Sequence, residues 1–335
     1  MDHTKRCIVF GLSVMCFLLT TSVAQECGKP HIAPTAATRP DGRIMGGQEA
    51  INGSWPWMAH LQYAADDYCF NCGATILSSK WIITAAHCFV EYKSTKLPDG
   101  TLVKIPFLDT IASHYKARVG QHRNSRCSSG DIVDSTAKDY PIRRIIIHEK
   151  YSLNVNNSAA DIALLEVDEF INFTNVISPI CLPADKSDPS SGKSCVAVGW
   201  GDVMTKPDPK GPAVLMEVGL NIVDRETCNQ NWTGTVEDDM ICAWAEGKDV
   251  CGGDSGGPFA CSDDSGTFVL EGIVSWGSDC GTYNLPGVYT RVGYYIPWIE
   301  NITGIKGMKS ESPLTFHPGI AGRILFFFVL HQFCM

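Results

Sequence analysis

The chain has 335 residues, 44% apolar and 19% charged, so it can bury a sizeable core and shows no compositional sign of disorder. Its 27 Lys and Arg against 36 Asp and Glu give a formal net charge of −9, which argues against a nucleic-acid partner. Fifteen cysteines in a chain of this length point to an oxidising compartment.

The N-terminus fits that compartment. Lys5 and Arg6 precede an apolar run from Cys7 to Leu19, and Ser22-Val23-Ala24 is a small-residue cleavage site. Residues 1–24 therefore read as a secretory signal peptide cleaved after Ala24, its apolar run too short to span a bilayer comfortably. Five Asn-x-Ser/Thr triplets, at Asn52, Asn156, Asn172, Asn231 and Asn301, are consistent with secretion and glycosylation. Residues 25–43 are rich in Pro, Ala and Thr, carry Cys27 and lack apolar periodicity. On the residues alone they form a flexible linker that adds little to a core.

From Ile44 onward, short apolar runs alternate with Gly, Pro, Asn and Asp. They include Ala59 to Tyr63, Ala74 to Leu77, Trp81 to Thr84, Ile142 to Ile147, Cys195 to Val198, Phe268 to Val274 and Gly287 to Val292. Many short strands with turn signals predict an all-β sandwich or barrel. Helical spacing shows only at the end, where Tyr295, Trp298, Ile299 and Ile302 recur at i, i+3, i+4 and i+7. A long segment between Cys88 and Gly120 either walls a cleft or is a tolerated surface loop. The tail, 306–335, is polar and then apolar from Ile324 to Leu330, seven residues that are too few for a membrane span. Ser310 and Ser312 could open a GPI-anchor signal, but its apolar tail needs ~10–20 residues.

Three stretches carry the chemistry. Cys251-Gly252-Gly253-Asp254-Ser255-Gly256-Gly257-Pro258 cannot sit inside a helix and makes a poor strand. Its glycines turn the backbone tightly and bare its N–H groups, so it reads as an exposed serine nucleophile with a backbone oxyanion site. Alone it is equally a Gly-Ser surface loop. Thr84-Ala85-Ala86-His87-Cys88 and Asp161-Ile162-Ala163-Leu164-Leu165 add a histidine and an acid. A serine hydroxyl needs a base within hydrogen-bond reach, and histidine titrates near working pH.

Together the three resemble the trypsin/chymotrypsin family of serine peptidases, over about Ile44 to Ile302. The resemblance implies two six-stranded antiparallel β-barrels with a C-terminal α-helix, an active site between them, and a peptidase domain over 44–305. It assigns Ser255 as nucleophile, His87 as base, Asp161 as the acid that orients the ring, and the N–H groups of Gly253 and Ser255 as the oxyanion hole. It makes 25–43 a propeptide cut between Arg43 and Ile44, freeing an ammonium that pairs with Asp254. Asp249 takes the base of the primary pocket, selecting Arg or Lys before the scissile bond, with Ser275, Trp276, Gly277 and Gly287 as walls. Ser275 also bonds Asp161. Val250 replaces a frequent serine, which favours Arg, and Gly252 stands where a longer polar residue is usual. Ile145 to Tyr151 resembles the matching stretch of acrosin, a protease of this family.

The same resemblance pairs Cys72 with Cys88, Cys195 with Cys261, Cys228 with Cys242, Cys251 with Cys280, and Cys27 with Cys181. Cys69 and Cys127 remain in the domain and are paired with each other. Cys69-x-x-Cys72 with His87 and Cys88 also permits a zinc set or a redox dithiol. No cofactor or metal is expected. Expected partners are protein or peptide substrates with Arg or Lys at the cleavage site, an activating trypsin-like protease and protein inhibitors. A membrane enters only if the tail is an anchor signal. The rival function is a non-catalytic binding module of this fold, although such proteins normally lose a triad residue or the activation site.

Overall fold

The computed structural model describes residues 26–35, 47–63, 70–96, 102–124, 133–153, 159–201, 212–247, 250, 252–263, 265–278 and 285–308. The first strands among them are β1 (Gln48–Glu49), β2 (Met58–Tyr63), β3 (Phe70–Ile76), β4 (Trp81–Thr84), β5 (Val90–Lys96), β6 (Leu102–Leu108), β7 (Tyr115–Val119), β8 (Lys138–Ile147) and β9 (Ala163–Val167). Then come β10 (Ser194–Gly199), β11 (Met216–Val223), helix α1 (Arg225–Asn231), β12 (Met240–Trp244), β13 (Pro258–Ser262), β14 (Phe268–Trp276), β15 (Gly287–Arg291) and helix α2 (Ile296–Thr303).

Two antiparallel barrels result. The first closes in the order β2-β3-β4-β9-β8-β7. The second runs β11-β10-β13-β14-β15-β12 and closes through β11–β12 pairing, with β1 added outside β11. Closure leaves few unpaired edges and seals the apolar faces inside. The first core holds Trp57, Ile82, Ile83, Leu164 and Leu165, all fully buried. The second holds Leu220, Ile241 and the stacked pair Phe259 and Tyr289, with ring centroids 4.4 Å apart. The continuous run of β4 is buried at all four residues, because this strand lies between β3 and β9 rather than at a solvated edge.

Helix α2 packs Ile296 and Ile299 inward and ends at Gly304, whose φ of 73° is the left-handed stop expected after a helix. Helix α1 was not legible in the apolar pattern, since Cys228 is its one buried residue. Its start is marked chemically instead: the Asp224 side chain accepts from Thr227 N at 2.8 Å, an N-cap. The long segment after Cys88 forms a hairpin, β5 with β6, as its own two-stranded sheet. Tyr92, Ile105 and Phe107 on it are exposed.

The segment expected on residues alone to be a free linker is tied down where it is described. Cys27 is disulfide-bonded to Cys181. Gly28 N donates to Pro179 O at 2.9 Å, and Phe268 N donates to Gly28 O at 2.7 Å. Periodicity cannot reveal this attachment, because a covalent bond and two backbone hydrogen bonds make it rather than an apolar face.

Candidate active site

Strands β4 and β9 are neighbours, with Thr84 opposite Ala163, so the histidine and acid motifs leave adjacent strand ends. His87 lies in a short 3-10 helix, Ala86–Phe89, directly after β4. Asp161 stands two residues before β9. His87 N donates to Asp161 Oδ1 at 2.8 Å, and His87 Nδ1 lies 2.8 Å from Asp161 Oδ2. The second barrel reaches across: Ser275 Oγ donates to Asp161 Oδ2 at 2.5 Å, and Thr290 Oγ1 donates to Asp161 O at 2.7 Å.

The acid is sealed and the ring is open, with side-chain exposures of 4% and 28%. Burial works against a charged His87 ring, but the Asp161 charge and hydrogen bond outweigh it and raise the ring above its ordinary pKa. Burial likewise pushes Asp161 upward, and is overcome by His87 and by the hydrogen bonds from His87 and Ser275, which hold the carboxyl below the usual range. A ring nitrogen turned to such an anion leaves the other nitrogen able to exchange a proton.

Ser255 belongs to the turn before β13 and is clamped by both barrels. Gly73 N, on β3, donates to Ser255 O at 2.7 Å, and Gly256 N donates to Val274 O at 2.8 Å on β14. The disulfide Cys72–Cys88 ties β3 to the turn that carries His87. Histidine and serine therefore share one frame: His87 is joined to it through Cys88, and Gly73, next to Cys72, holds Ser255 by a hydrogen bond. Gly253 has φ of 101°, a conformation that side chains disfavour, and a Cβ there would lie 3.1 Å from Gly201 Cα. Asp254 Oδ1 accepts from Gly201 N at 2.7 Å.

Ser275 and Trp276 end β14, and Gly277 follows them. A Cβ on Gly277 would meet the Cα of Gly287 at 3.8 Å, so two of the expected pocket-wall residues approach each other. Arg43, Ile44, Asp249, Cys69, Cys127, Cys251, Cys280 and Asn156 lie outside the described residues. Cys195 is bonded to Cys261 and Cys228 to Cys242. Asn52, Asn172, Asn231 and Asn301 are exposed. Cys72, His87 and Cys88 do cluster closely enough for a metal, but the two sulfurs are joined to each other and offer no thiolates.

Two neighbours of the site carried little or no signal in the sequence. Gly201 is one: a Cβ there would overlap the Asp254 carboxyl group, so only glycine lets the acid approach this backbone. The Trp200-Gly201 pair beside a strand end was its faint trace. Asp239 is the other, accepting from Ala160 N beside Asp161, and one acid of the run Glu237-Asp238-Asp239, 78 positions from Asp161, has no readable mark.

Comparison with known proteins agrees with this geometry. The family model described as Trypsin matches residues 44–299. Human testisin is 32% identical over 286 residues, covering 82% of this chain and 84% of that protein. Human transmembrane protease serine 11B is 36% identical over 267 residues, 78% of this chain and 56% of that protein. Mouse transmembrane protease serine 7 is 37% identical over 264 residues, 77% of this chain and 28% of that protein. The chain thus spans about half the length of the first of these transmembrane proteases and less of the second. It belongs to the trypsin family of serine proteases.

Proposed function

We propose that the chain is a serine endopeptidase that cuts after Arg, less readily after Lys, and is made as a secreted zymogen. Ser255 Oγ attacks the scissile carbonyl while His87 takes its proton, and His87 then returns that proton to the leaving amine. Asp161 holds the ring in the required tautomer and stabilises the imidazolium. The N–H groups of Gly253 and Ser255 receive the oxyanion, a contribution of ~10²–10³ in rate for each donor. Water then cleaves the acyl-enzyme.

The observation that carries this reading is the double hold of Asp161 on His87, with Ser255 clamped beside them by Gly73. Arg specificity rests on Asp249 and on Gly277 and Gly287, whose lack of side chains leaves room for a long guanidinium. Zymogen activation rests on the Arg43–Ile44 junction and on Asp254, already bonded to Gly201. The Cys27–Cys181 bond would keep the propeptide attached after the cut. The leader, the disulfides and the exposed Asn-x-Ser/Thr sites support passage through a secretory compartment.

Turnover of an Arg-ended chromogenic peptide, before and after limited cleavage at Arg43, tests the reading, with Ser255→Ala as control. Activity should appear only after cleavage and vanish in S255A. A cleaved wild type that binds the peptide without turning it over would leave the non-catalytic binding module instead.

A further inference from the structure

We propose that Asp239 is a positioning residue for Asp161, holding the peptide unit on which the triad acid is mounted. Ala160, directly before Asp161, has φ of 57°, the left-handed region that a Cβ disfavours. Ile162 N donates to Ala160 O at 2.8 Å, so the acid sits at the tip of a tight reversal. A reversal through an alanine needs an external hold. Asp239 supplies it from the other barrel: its Oδ2 accepts from Ala160 N at 2.8 Å.

Asp239 is itself fixed. Arg291 N donates to Asp239 O at 2.8 Å, and Tyr295 OH donates to the same Oδ2 that takes Ala160 N. Burial and the bond to Asp239 push the Tyr295 hydroxyl well above the ordinary phenol range, so it remains a donor throughout working pH. The next residue, Met240, pairs with Thr290, whose hydroxyl donates to Asp161 O. One rung of the second barrel therefore grips both Ala160 and Asp161.

Asp239 is also ill-suited to a purely structural task. It is 6% exposed, its Oδ1 is buried with no hydrogen-bond partner, and no ion pair reaches it among the described residues. It lines a cavity of about 440 Å³ shared with Lys150, Glu237, Asp238 and Tyr294. A buried carboxyl with one oxygen unsatisfied is costly. Sites that break such rules tend to be those where geometry serves function.

This inference rests on the proteolytic reading above, and its test separates the two. In the activated enzyme, Asp239→Ala should lower kcat on an Arg-ended peptide by up to ~10²-fold, the scale of a misplaced catalytic group, with KM little changed. Asp239→Asn keeps an acceptor for Ala160 N and should retain most of the rate. Ala160→Gly added to D239A should recover part of the loss, because glycine adopts φ near 57° without the strain a Cβ brings. Proton NMR supplies a readout independent of turnover: the low-field Nδ1 proton of His87, bound to Asp161, should be seen in wild type and lost in D239A. If wild type proves inactive, the proteolytic reading fails while this resonance still decides the role of Asp239. Should D239A not fold, Asp239→Ser, a small polar residue too short to reach Ala160 N, takes its place. A folded variant with wild-type kcat and an unmoved resonance would overturn the inference, as would a loss that A160G leaves untouched.

Discussion

Asp161 gives both carboxylate oxygens to a single residue: Oδ1 accepts from the backbone N of His87 and Oδ2 faces its Nδ1, each at 2.8 Å. The first bond fixes where the histidine backbone stands, and the second fixes how its ring turns. Ring rotation about χ1 and χ2 would break only the second, so the backbone bond keeps the acid in place while the proton moves.

The pH profile follows from that pair. His87 is raised above its ordinary value, so the neutral ring needed as a base is populated only above ~6.5. The acid limb of kcat/KM should therefore have its midpoint above ~6.5. The sign for stability is opposite. A raised histidine stabilises the fold most at low pH, and this contribution fades as pH rises through the folded value. Asp161→Asn should cost about 10⁴-fold in kcat and shift the limb to lower pH, since the neutral amide no longer favours the charged ring. A limb that stays in place in D161N would contradict the assignment.

Ser275 gives the Asp161 carboxylate a third donor, to Oδ2 at 2.5 Å. Hydrogen bonds to charged groups contribute roughly 1.5–3 kcal/mol. Ser275→Ala should lower kcat on the order of tenfold and weaken the depression of Asp161, with the hydrophobic core untouched. Steady-state kinetics alongside a thermal melt checks this: a fall in melting temperature without a fall in kcat would assign Ser275 to stability alone.

Much of this was legible in the chain, and the rest was hidden for definite reasons. Trp81 to Thr84 is the strand β4 without a residue's error, because a buried central strand announces itself as a continuous apolar run. The hairpin β5–β6 did not announce itself: Tyr92, Ile105 and Phe107 face solvent, so no apolar-inward alternation marks it. His87 and Asp161 stand out because their motifs are local. The Ala160–Asp239 bond joins positions 79 apart through one ordinary acid, and only the folded second barrel shows why that acid is there. Gly201 is of the same kind, ordinary until Asp254 lies against it.

The bond between Cys27 and Cys181 makes a prediction about chain composition after activation. Once Arg43–Ile44 is cut, residues 25–43 should stay with the domain on a non-reducing gel and separate only on reduction. Cys27→Ser should release them without reductant. Among the described residues, the two backbone hydrogen bonds at Gly28 then contribute only ~1 kcal/mol each beside the burial of Pro34, little to retain a short segment against dilution. Retention in C27S would show that packing alone suffices.

Asp139 should make the fold acid-sensitive at a place remote from the triad. It lies opposite Arg118 across β7 and β8 and takes bonds from Arg118 Nε at 2.5 Å and Lys116 Nζ at 2.8 Å. Burial alone would raise its pKa, but the hydrogen bonds and charges of Arg118 and Lys116 prevail and hold it at about 2. A depressed carboxylate stabilises the folded state above its unfolded pKa of ~3.9, and that contribution is lost as pH falls toward about 2. The full conversion would be ~2.5 kcal/mol at 1.36 kcal/mol per pKa unit. The Asp139 side chain is 34% exposed, so solvent screening reduces this to about 1 kcal/mol. Asp139→Asn should then lower the melting temperature by about 2–4 °C at pH 7. The difference should shrink as pH falls from ~3.9, where the unfolded wild type takes up a proton on this group, toward about 2, where the folded one does. An equal deficit at pH 7 and at about 2 would instead point to lost packing around the half-buried Lys116 and buried Arg118, with charge playing no part.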